Sequence, residues 1–416
     1  MRPALSVVIP THNRCDSLLR LLAALERGTL PAERFEAVVV ADGCADDTVR
    51  VAAAASFSFP VRVCEQQPGR GAAAARNLGA EHARGAVLVF LDDDIEPLPT
   101  LLATHLDLHA RHADEPTAVI GAPIPIRGPR DSYQHIAVWH WWEEQLARMA
   151  RPGHRFSYQD VFTGVFSLPK GLFMATGTFA CDLPESCRDD WEFGIRLLAR
   201  GTRLLYTREG GGWHHEMRNH AGLHARKLAE GRADVAIARR HPELWPSLRL
   251  AQPVEGLARQ LVRLAFRAPR LAERFERLAA RVLPSLEWLG ARGTWRQVQG
   301  AALHSAYWRG VALELGGHSP GKELRRLAAR WRERRRVAPP RIIRLDLARG
   351  LPAAEFALEA ARPHGAELRW GALPLGHIAA VPGHERLRGR HLRMELAGPL
   401  APRLMVALAL GAGARD

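Results

Sequence analysis

The chain has 416 residues, which is long enough for two or three domains. Hydrophobic residues make up 47% and charged residues 25%, values that fit a folded soluble protein and exclude a disordered or fibrous chain. The formal net charge of +14 is unusual and predicts anionic partners such as nucleotide phosphates, anionic lipid or nucleic acid.

The cysteines and the N-terminus predict a cytoplasmic protein. Five cysteines are present, an odd number with no CxxC pair and no spacing typical of zinc sites, so we expect free thiols. The first residues lead directly into a short strand-like run and do not resemble a signal peptide. Because no window contains about 18 consecutive apolar residues, we expect no transmembrane helix.

The first hundred residues alternate between apolar strand-like runs and helical patterns. Buried strands are predicted at residues 5–9, 38–41 and 87–91, and a short strand at residues 61–64. One helix is predicted after the first strand, with Gly28 at its end, and another at residues 70–84. Strands that alternate with helices predict the α/β class, with a parallel sheet and right-handed crossovers.

The pattern is looser after residue 95. A helix is predicted over residues 139–150, and a second over residues 193–200. The acidic segment 189–192 opens the second helix, and carboxylates there also favour the helix dipole, so a capping role stays open. A strand is predicted at residues 202–206.

Residues 251–340 form a basic helical region. They contain 17 Arg and one Lys against seven Glu, a net charge of +11 that accounts for most of the excess of the chain. The arginines recur at steps of three and four, at Arg259, Arg263, Arg267, Arg270, Arg274, Arg277 and Arg281. Leucines fill another face, which predicts a basic amphipathic helix that is broken or kinked before Pro269.

Two roles stay open for this basic region. An Arg-rich amphipathic helix suits the anionic headgroups of a membrane surface, which would make the protein peripheral on the inner face of the membrane. A purely structural helix packed on the N-terminal domain is the alternative. Nucleic acid is the weakest candidate partner, because no recognised nucleic-acid-binding module is present.

The remaining residues predict a small α/β appendage of unknown role. Short strands are predicted at residues 341–345, 367–370 and 376–381, and a closing helix at about 387–400. We therefore expect three domains, an α/β domain at 1–240, a basic helical region at 241–338 and the appendage at 339–416.

Polar segments follow three of the predicted strands. The first strand ends at residues 10–14 (Pro-Thr-His-Asn-Arg), the second at Asp42, and the fourth at residues 92–94 (Asp-Asp-Asp). In a parallel sheet these carboxyl ends share the edge where ligands bind. Carboxylates there suit Mg²⁺ or Mn²⁺, although an acidic turn after a strand would have the same sequence. The Asp189-Asp190 pair is predicted to face the same cleft.

These segments resemble, in order and spacing, the motifs of the family 2 glycosyltransferases with the GT-A fold. The similar segments are residues 6–14, 40–46, 71–79, 90–94 and 189–197. The resemblance covers residues 4–240 and implies a Rossmann-like fold, with a mostly parallel sheet flanked by helices.

The resemblance implies an inverting glycosyltransferase with a nucleotide-diphospho-sugar donor, a UDP-, GDP- or dTDP-sugar. The acceptor would be a carbohydrate, lipid-linked or other hydroxyl, in the synthesis of cell-envelope polysaccharide, glycolipid or a related glycoconjugate. The residues implied for donor binding are Pro10, Thr11, Asn13, Asp42, Arg76, Asp92 and Asp93. Asp42 is expected at the nucleobase or ribose unless it only forms an Asp-Gly turn. Arg76 is expected near the phosphates or ribose unless it is a solvated helix residue.

A divalent metal, Mn²⁺ or Mg²⁺, is also implied by the resemblance. Asp94 and Asp92 would be its carboxylate ligands, and His214 the third ligand. The metal would offset the charge that develops on the leaving diphosphate. His215 is adjacent to His214, so the choice between them stays open, as does a packed or surface histidine pair. Asp93 has the weakest claim of the triad and is expected to shape the turn.

The resemblance assigns the catalytic base to Asp190, which would take the proton from the acceptor hydroxyl as that oxygen attacks the anomeric carbon. Asp189 is the alternative base.

Other functional classes fit the sequence less well. A Rossmann dehydrogenase needs a Gly-rich turn after the first strand, and residues 10–14 contain no glycine. A nucleotidyltransferase needs a first loop rich in Gly and Lys, which is also absent. A non-catalytic relative of the same fold would not be expected to retain Asp42, Asp92, Asp94 and Asp190 together.

Overall fold

The computed structural model describes residues 2–128, 131–215, 220–316, 320–337 and 339–412. Its strands are β1 (Leu5–Thr11), β2 (Phe35–Asp42), β3 (Val61–Gln66), β4 (Val87–Leu91), β5 (Ile95–Pro97), β6 (Thr117–Pro125), β7 (Val165–Pro169), β8 (Arg203–His214), β9 (Ile342–Asp346), β10 (Gly365–Trp370) and β11 (Leu373–Ile378).

The α-helices connect and cover these strands. They are α1 (Cys15–Glu26), α2 (Thr48–Ala54), α3 (Ala72–His82), α4 (Leu101–Arg111), α5 (Tyr133–Met149), α6 (Lys170–Thr176), α7 (Asp189–Ala199), α8 (His220–Arg240), α9 (Gly256–Arg267), α10 (Pro269–Trp288), α11 (Arg292–Leu315), α12 (Pro320–Val337), α13 (Leu351–Ala361), α14 (Gly389–Ala397) and α15 (Ala401–Ala412).

The main sheet has eight strands in the order β3-β2-β1-β4-β7-β6-β8-β5. Strands β3, β2, β1 and β4 are mutually parallel, and so are β6 and β8, whereas β7 and β5 run antiparallel to their neighbours. The predicted α/β fold, with a mostly parallel sheet flanked by helices, is confirmed.

Apolar side chains cover both faces of the parallel strands. Along β1, Leu5, Val7 and Ile9 join a core that contains the leucines of α1. Val8 points to the opposite face and joins a second core with Phe90. Since successive side chains of a strand alternate between faces, a strand buried on both sides has to be apolar throughout. The strands predicted at residues 5–9, 38–41 and 87–91 are confirmed for this reason. The strand predicted at residues 61–64 is also confirmed, but β3 lies at the edge of the sheet and is only partly buried.

Helix α5 and strand β8 extend furthest beyond their predicted bounds. Helix α5 begins at Tyr133, six residues before the predicted start, where the Ser132 side chain accepts a hydrogen bond from the backbone N–H of His135. Strand β8 continues past residue 206 to His214, and its later residues pair with β6 and β5. The longer strand places His214 close to Asp94.

The basic helical region shares a hydrophobic core with the main sheet. Ala265 and Tyr307 of this region belong to the same core as Phe90. The predicted break is confirmed, since α9 ends at Arg267 and α10 begins at Pro269, a residue that suits the first turn of a helix.

Helix α11 packs closely against α8 at two glycines. A Cβ at Gly231 would lie 2.0 Å from the carbonyl oxygen of Tyr307, and one at Gly310 would lie 2.0 Å from that of Leu228. Only glycine permits this backbone approach. The crossing sets the position of α11 relative to the rest of the molecule.

The C-terminal unit has a separate core around the three-stranded sheet β11-β10-β9. The closing helix predicted at about 387–400 is wrong in its extent, because α14 ends at Ala397 and α15 begins at Ala401. Arg155 joins this unit to the main sheet domain by donating hydrogen bonds to the carbonyl oxygens of His364, Ala379 and Glu385. The predicted boundary residue 338 lies outside the described residues.

No helix in the described part of the chain is both long and apolar enough to cross a membrane.

Candidate active site

A cleft of about 980 Å³ lies where the carboxyl ends of β1, β2 and β4 meet. Nine of the ten predicted site residues line this cleft: Pro10, Thr11, Asp42, Arg76, Asp92, Asp93, Asp94, Asp190 and His214. Asn13 is not among its lining residues. Residues from α5, α8 and α11 form the opposite side.

Asn13 connects the loops that follow β1 and β2. Its backbone has a φ of 53°, a left-handed conformation that Asn tolerates. The side-chain Oδ1 accepts hydrogen bonds from the backbone N–H groups of Ala45 and Asp46, at 2.7 and 3.2 Å. Asn13 therefore holds the two loops together, and its predicted contact with a donor has no support from this geometry.

Asp42 is buried at the end of β2 and organises the loop before α3. Its Oδ1 accepts hydrogen bonds from the Gln66 side chain at 2.6 Å and from the backbone of Arg70 at 2.7 Å. Its Oδ2 accepts one from the backbone of Gly71 at 2.8 Å. Asp42 thus does more than form an Asp-Gly turn, since it fixes a loop at the floor of the cleft.

The middle carboxylate of the triad, Asp93, points into the loop after β1. It accepts hydrogen bonds from the Thr11 hydroxyl at 2.7 Å and from Arg14 at 3.0 Å. Burial raises the pKa of Asp93 to about 6 despite the opposing charge of Arg14. Both the Thr11 hydroxyl and the Asp93 carboxylate are thus engaged within the protein.

Arg76 connects the acidic triad to the start of α7. Its guanidinium donates to Asp92 at 2.6 Å and to Asp189 at 3.1 Å. Only 5% of the residue is exposed, so a solvated helix residue is excluded. Burial opposes the charge, but Asp92 and Asp189 outweigh it and raise the Arg76 pKa. Arg76 therefore holds two acidic segments of the cleft in fixed positions.

The last carboxylate, Asp94, has one buried oxygen without a hydrogen bond. Its Oδ2 accepts from Arg14 at 2.9 Å, whereas Oδ1 has no hydrogen-bond partner among the described residues. The His214 Nε2 lies 3.7 Å from this Oδ1. His215 points elsewhere, because its Nε2 lies 2.9 Å from Glu96. Of the two histidine side chains, that of His214 lies beside the Asp94 carboxylate, whereas His215 contacts Asp94 through the backbone.

The donor set at this position fits a divalent cation. A buried, unpaired carboxylate oxygen beside an imidazole is a favourable place for a positive charge. Among the residues the structure describes, no group of three or more His, Cys, Asp or Glu side chains forms a complete metal site. A cation held by Asp94 and His214 would therefore take further ligands from outside this cluster.

Asp189 and Asp190 are adjacent in sequence but have different surroundings. Both line the cleft, but Asp189 is buried and bound by Arg76, whereas Asp190 forms no ion pair among the described residues. Burial and then the charge of Asp189 raise the pKa of Asp190 to about 6. Asp190 is thus a cleft-lining carboxylate with a raised pKa.

The sequence reasoning missed several residues of the cleft. Arg226, Lys227 and Glu230 of α8 line it, and Trp295 and Gln299 come from α11 in the basic region. The ion pair of Lys227 with Glu230, at 2.7 Å, has the i, i+3 spacing of an ordinary helix surface. Local sequence therefore contained no signal that these residues belong to a site.

Residues 6–180 match the family model described as glycosyl transferase family 2. Validoxylamine A glucosyltransferases of two Streptomyces hygroscopicus subspecies, jinggangensis and limoneus, are each 32% identical over 273 residues, or 59% of this chain. The match spans 63% and 58% of these relatives, so this chain covers less than two thirds of their length. Glycosyltransferase AglE of Haloferax volcanii is 34% identical over 96 residues, 23% of this chain and 32% of the relative.

Solved structures of glycosyltransferases are also similar. The mannosyltransferase PcManGT from Pyrobaculum calidifontis, in complex with GDP-Man and Mn²⁺, has a TM-score of 0.48 and 19% identity, over 74% of this chain and 87% of that one. The match of residues 6–180 agrees with the predicted resemblance to the family 2 glycosyltransferases.

Proposed function

We propose that this protein is an inverting glycosyltransferase that moves a sugar from a nucleotide-diphospho-sugar to an acceptor hydroxyl. The observation that carries the proposal is Asp190, a carboxylate without an ion-pair partner among the described residues, in the same cleft as Asp92 and Asp94. The family match of residues 6–180 and the names of the relatives support the same class of reaction.

In this proposal the donor lies at the carboxyl ends of β1, β2 and β4. Pro10, Asp42 and Asp92 line this part of the cleft, and Asp42 keeps the loop before α3 in place for a nucleoside. Arg76 acts by positioning Asp92 rather than by facing the phosphates freely. UDP-, GDP- and dTDP-sugars all remain candidate donors.

Asp94 and His214, with Asp92 beside them, are the residues proposed to hold Mn²⁺ or Mg²⁺. When bound, the cation would offset the charge on the leaving diphosphate. Arg14 supplies positive charge at the same place, since it pairs with Asp94 at 2.9 Å and is itself half exposed. Its exposed guanidinium can reorient without opening the core.

Asp190 is proposed to accept the proton of the acceptor hydroxyl. As the proton leaves, the hydroxyl oxygen forms a bond to the anomeric carbon, and the bond from that carbon to the diphosphate oxygen breaks on the opposite side. This in-line displacement inverts the anomeric centre. A base with a pKa near 6 is ionised at neutral pH and still accepts a proton effectively.

The proposal is tested by a donor screen. Thermal unfolding with UDP-, GDP- and dTDP-sugars, with and without Mn²⁺, should identify one nucleotide that stabilises the protein. Product analysis then separates the classes: from a nucleotide sugar, a glycosyltransferase releases a nucleoside diphosphate, whereas a nucleotidyltransferase transfers the nucleoside monophosphate and releases a sugar 1-phosphate. Binding of a nucleotide sugar without any turnover of it would instead favour a non-catalytic relative.

We also propose that α9 and α10 contact an anionic membrane surface from the cytoplasmic side, as a peripheral protein. The seven arginines of the repeat are exposed, and large apolar side chains between them are exposed as well, including Leu271, Leu278 and Trp288. Exposed apolar side chains among cations match the interface between headgroups and acyl chains. The acceptor would then be lipid-linked or membrane-associated.

A further inference from the structure

We propose that α11, together with α5 and α8, forms the acceptor-binding subsite of the cleft, and that its ligand is a neutral, polyhydroxylated ring such as a sugar or cyclitol. This inference rests on the proposed glycosyl transfer and names the acceptor side of the same site. It gives α11, a helix of the basic region beyond the family-matched residues 6–180, a direct part in substrate recognition.

The first argument is the position of α11. Trp295, Gln299 and Leu303 lie at successive turns of this helix and line the same cleft as Asp190. The glycine crossing with α8 holds the helix there at backbone contact distance. A ligand in the cleft can therefore contact α11 on one side and Asp190 on another.

The second argument is two buried polar side chains with unused hydrogen-bonding capacity. Trp295 and Gln299 are only 4% and 5% exposed. The indole Nε1 of Trp295 has no hydrogen-bond partner among the described residues. The Gln299 amide interacts with the imidazoles of His220 and His224 of α8, which can use only part of its donors and acceptors.

Unpaired buried polar atoms are costly, and native proteins rarely retain them without a function or a bound partner. An indole N–H donates, whereas an amide donates and accepts. Hydroxyl groups also donate and accept, so a ligand with several hydroxyls can satisfy this set. A purely apolar ligand would leave the indole N–H of Trp295 unpaired.

The third argument is the composition of the cleft wall. Four tryptophans and four glutamines line it: Trp141, Trp142, Trp191, Trp295, Gln134, Gln145, Gln159 and Gln299. Trp141 is 48% exposed, so one face of its ring is open to a ligand. Flat aromatic faces accept the apolar face of a sugar ring, and amides bind its hydroxyls.

Most cations on this side of the cleft have carboxylate partners. Arg148 is paired with Asp160 at 2.6 Å and Arg188 with Asp234 at 2.9 Å. Glu230 is shared by Lys227 at 2.7 Å and Arg226 at 3.4 Å. Exposed Arg296 is the one lining cation of α11. Because each of the other cations already has a carboxylate partner, the wall suits a neutral ligand.

The test compares two glutamines of the same helix. Gln299→Ala removes the buried amide, and Gln297→Ala changes an exposed glutamine that does not line the cleft. A panel of neutral mono- and disaccharides, beside the matching uronic acids and sugar phosphates, is measured by saturation-transfer NMR without any donor. We expect neutral sugars to bind the wild type and the Gln297 variant, and to lose about tenfold in affinity for the Gln299 variant.

Trp295→Phe provides a second variant that keeps an aromatic ring but removes the indole N–H. It should weaken neutral-sugar binding about fivefold. In transfer assays, Gln299→Ala and Trp295→Phe should each raise KM for the acceptor and leave KM for the donor unchanged. Thermal unfolding checks that each variant is folded.

The inference is overturned if the wild type binds only the anionic sugars, if it binds none of the panel, or if folded Gln299 and Gln297 variants behave alike. Direct binding needs no donor, so it separates this inference from the proposed function. Absence of donor turnover with intact sugar binding would count against glycosyl transfer and not against the subsite.

Discussion

Tyr307 of α11 donates a 2.5 Å hydrogen bond to the buried carboxylate of Asp234 in α8. Asp234 in turn forms a 2.9 Å ion pair with Arg188, the residue that precedes Asp189 and Asp190. A polar connection thus leads from the basic helical region to the residue that precedes Asp189 and the proposed base. It explains how a helix far along the chain contributes to the order of the cleft.

Tyr307→Phe tests this connection. The substitution leaves a buried Asp234 oxygen without its donor, so we expect the free energy of unfolding to fall by about 1–3 kcal/mol. Urea unfolding at pH 7 measures the change. Tyr133→Phe is the control, because the Tyr133 hydroxyl has only a 3.4 Å hydrogen bond with Arg292. Equal stability of the Tyr307 variant and the wild type would contradict the structural role.

Asp190→Asn should abolish transfer while leaving donor binding intact. Loss of a general base lowers kcat by about 10²–10⁴ fold. Asp189→Asn should reduce kcat less than Asp190→Asn does. It should lower the free energy of unfolding more, because Asp189 is a buried partner of Arg76. Steady-state kinetics and thermal unfolding of both variants separate the two roles. Retention of full activity by the Asp190 variant would show that the base assignment is wrong.

The rate of transfer should depend on pH through Asp190. Only the ionised carboxylate can accept a proton, and its pKa is raised to about 6 by burial and by Asp189. We therefore expect kcat/KM to rise as the pH increases through about 6 and to level off above 7. Initial rates between pH 5 and 8, at saturating metal, measure this profile. A flat profile across that range would remove Asp190 from the proton transfer.

Metal binding should distinguish the two adjacent histidines. His214→Ala and Asp94→Ala should weaken Mn²⁺ binding by roughly tenfold or more, whereas His215→Ala should have little effect, because His215 pairs with Glu96. Calorimetric titration of Mn²⁺ in the presence of a nucleoside diphosphate gives the affinities. EDTA should abolish transfer by the wild type. A larger loss in the His215 variant would reverse the assignment.

Membrane contact is tested by charge removal at matched sites. Arg270, Arg274, Arg277 and Arg281 are replaced by Ala in one variant; Arg20, Arg27, Arg50 and Arg111, also exposed, are replaced in the control. Each cation near an anionic surface contributes about 1 kcal/mol. The variant without the four α10 arginines should therefore fail to float with phosphatidylserine vesicles, whereas the control variant should float. High salt should weaken vesicle binding by the wild type. Equal flotation of both variants would contradict contact through α10.

Much of the fold and part of the site could be predicted from the sequence. The apolar runs of β1, β2 and β4 identify strands buried on both faces, and the residues after them lie at the edge of the sheet for the same geometric reason. Less could be predicted where the structure depends on distant residues. Strand β7 lies between β4 and β6, which its own short segment does not reveal.

The sequence by itself determined the α/β class, the acidic strand ends and the break before Pro269, because each follows from local periodicity and backbone chemistry. Only the tertiary structure decided which carboxylate faces which partner. Asp93 turns toward Arg14, and Asp189 toward Arg76, a residue 113 positions away in the chain. Such contacts, and the approach of α11 to the cleft, arise from helix and strand packing that no local pattern encodes.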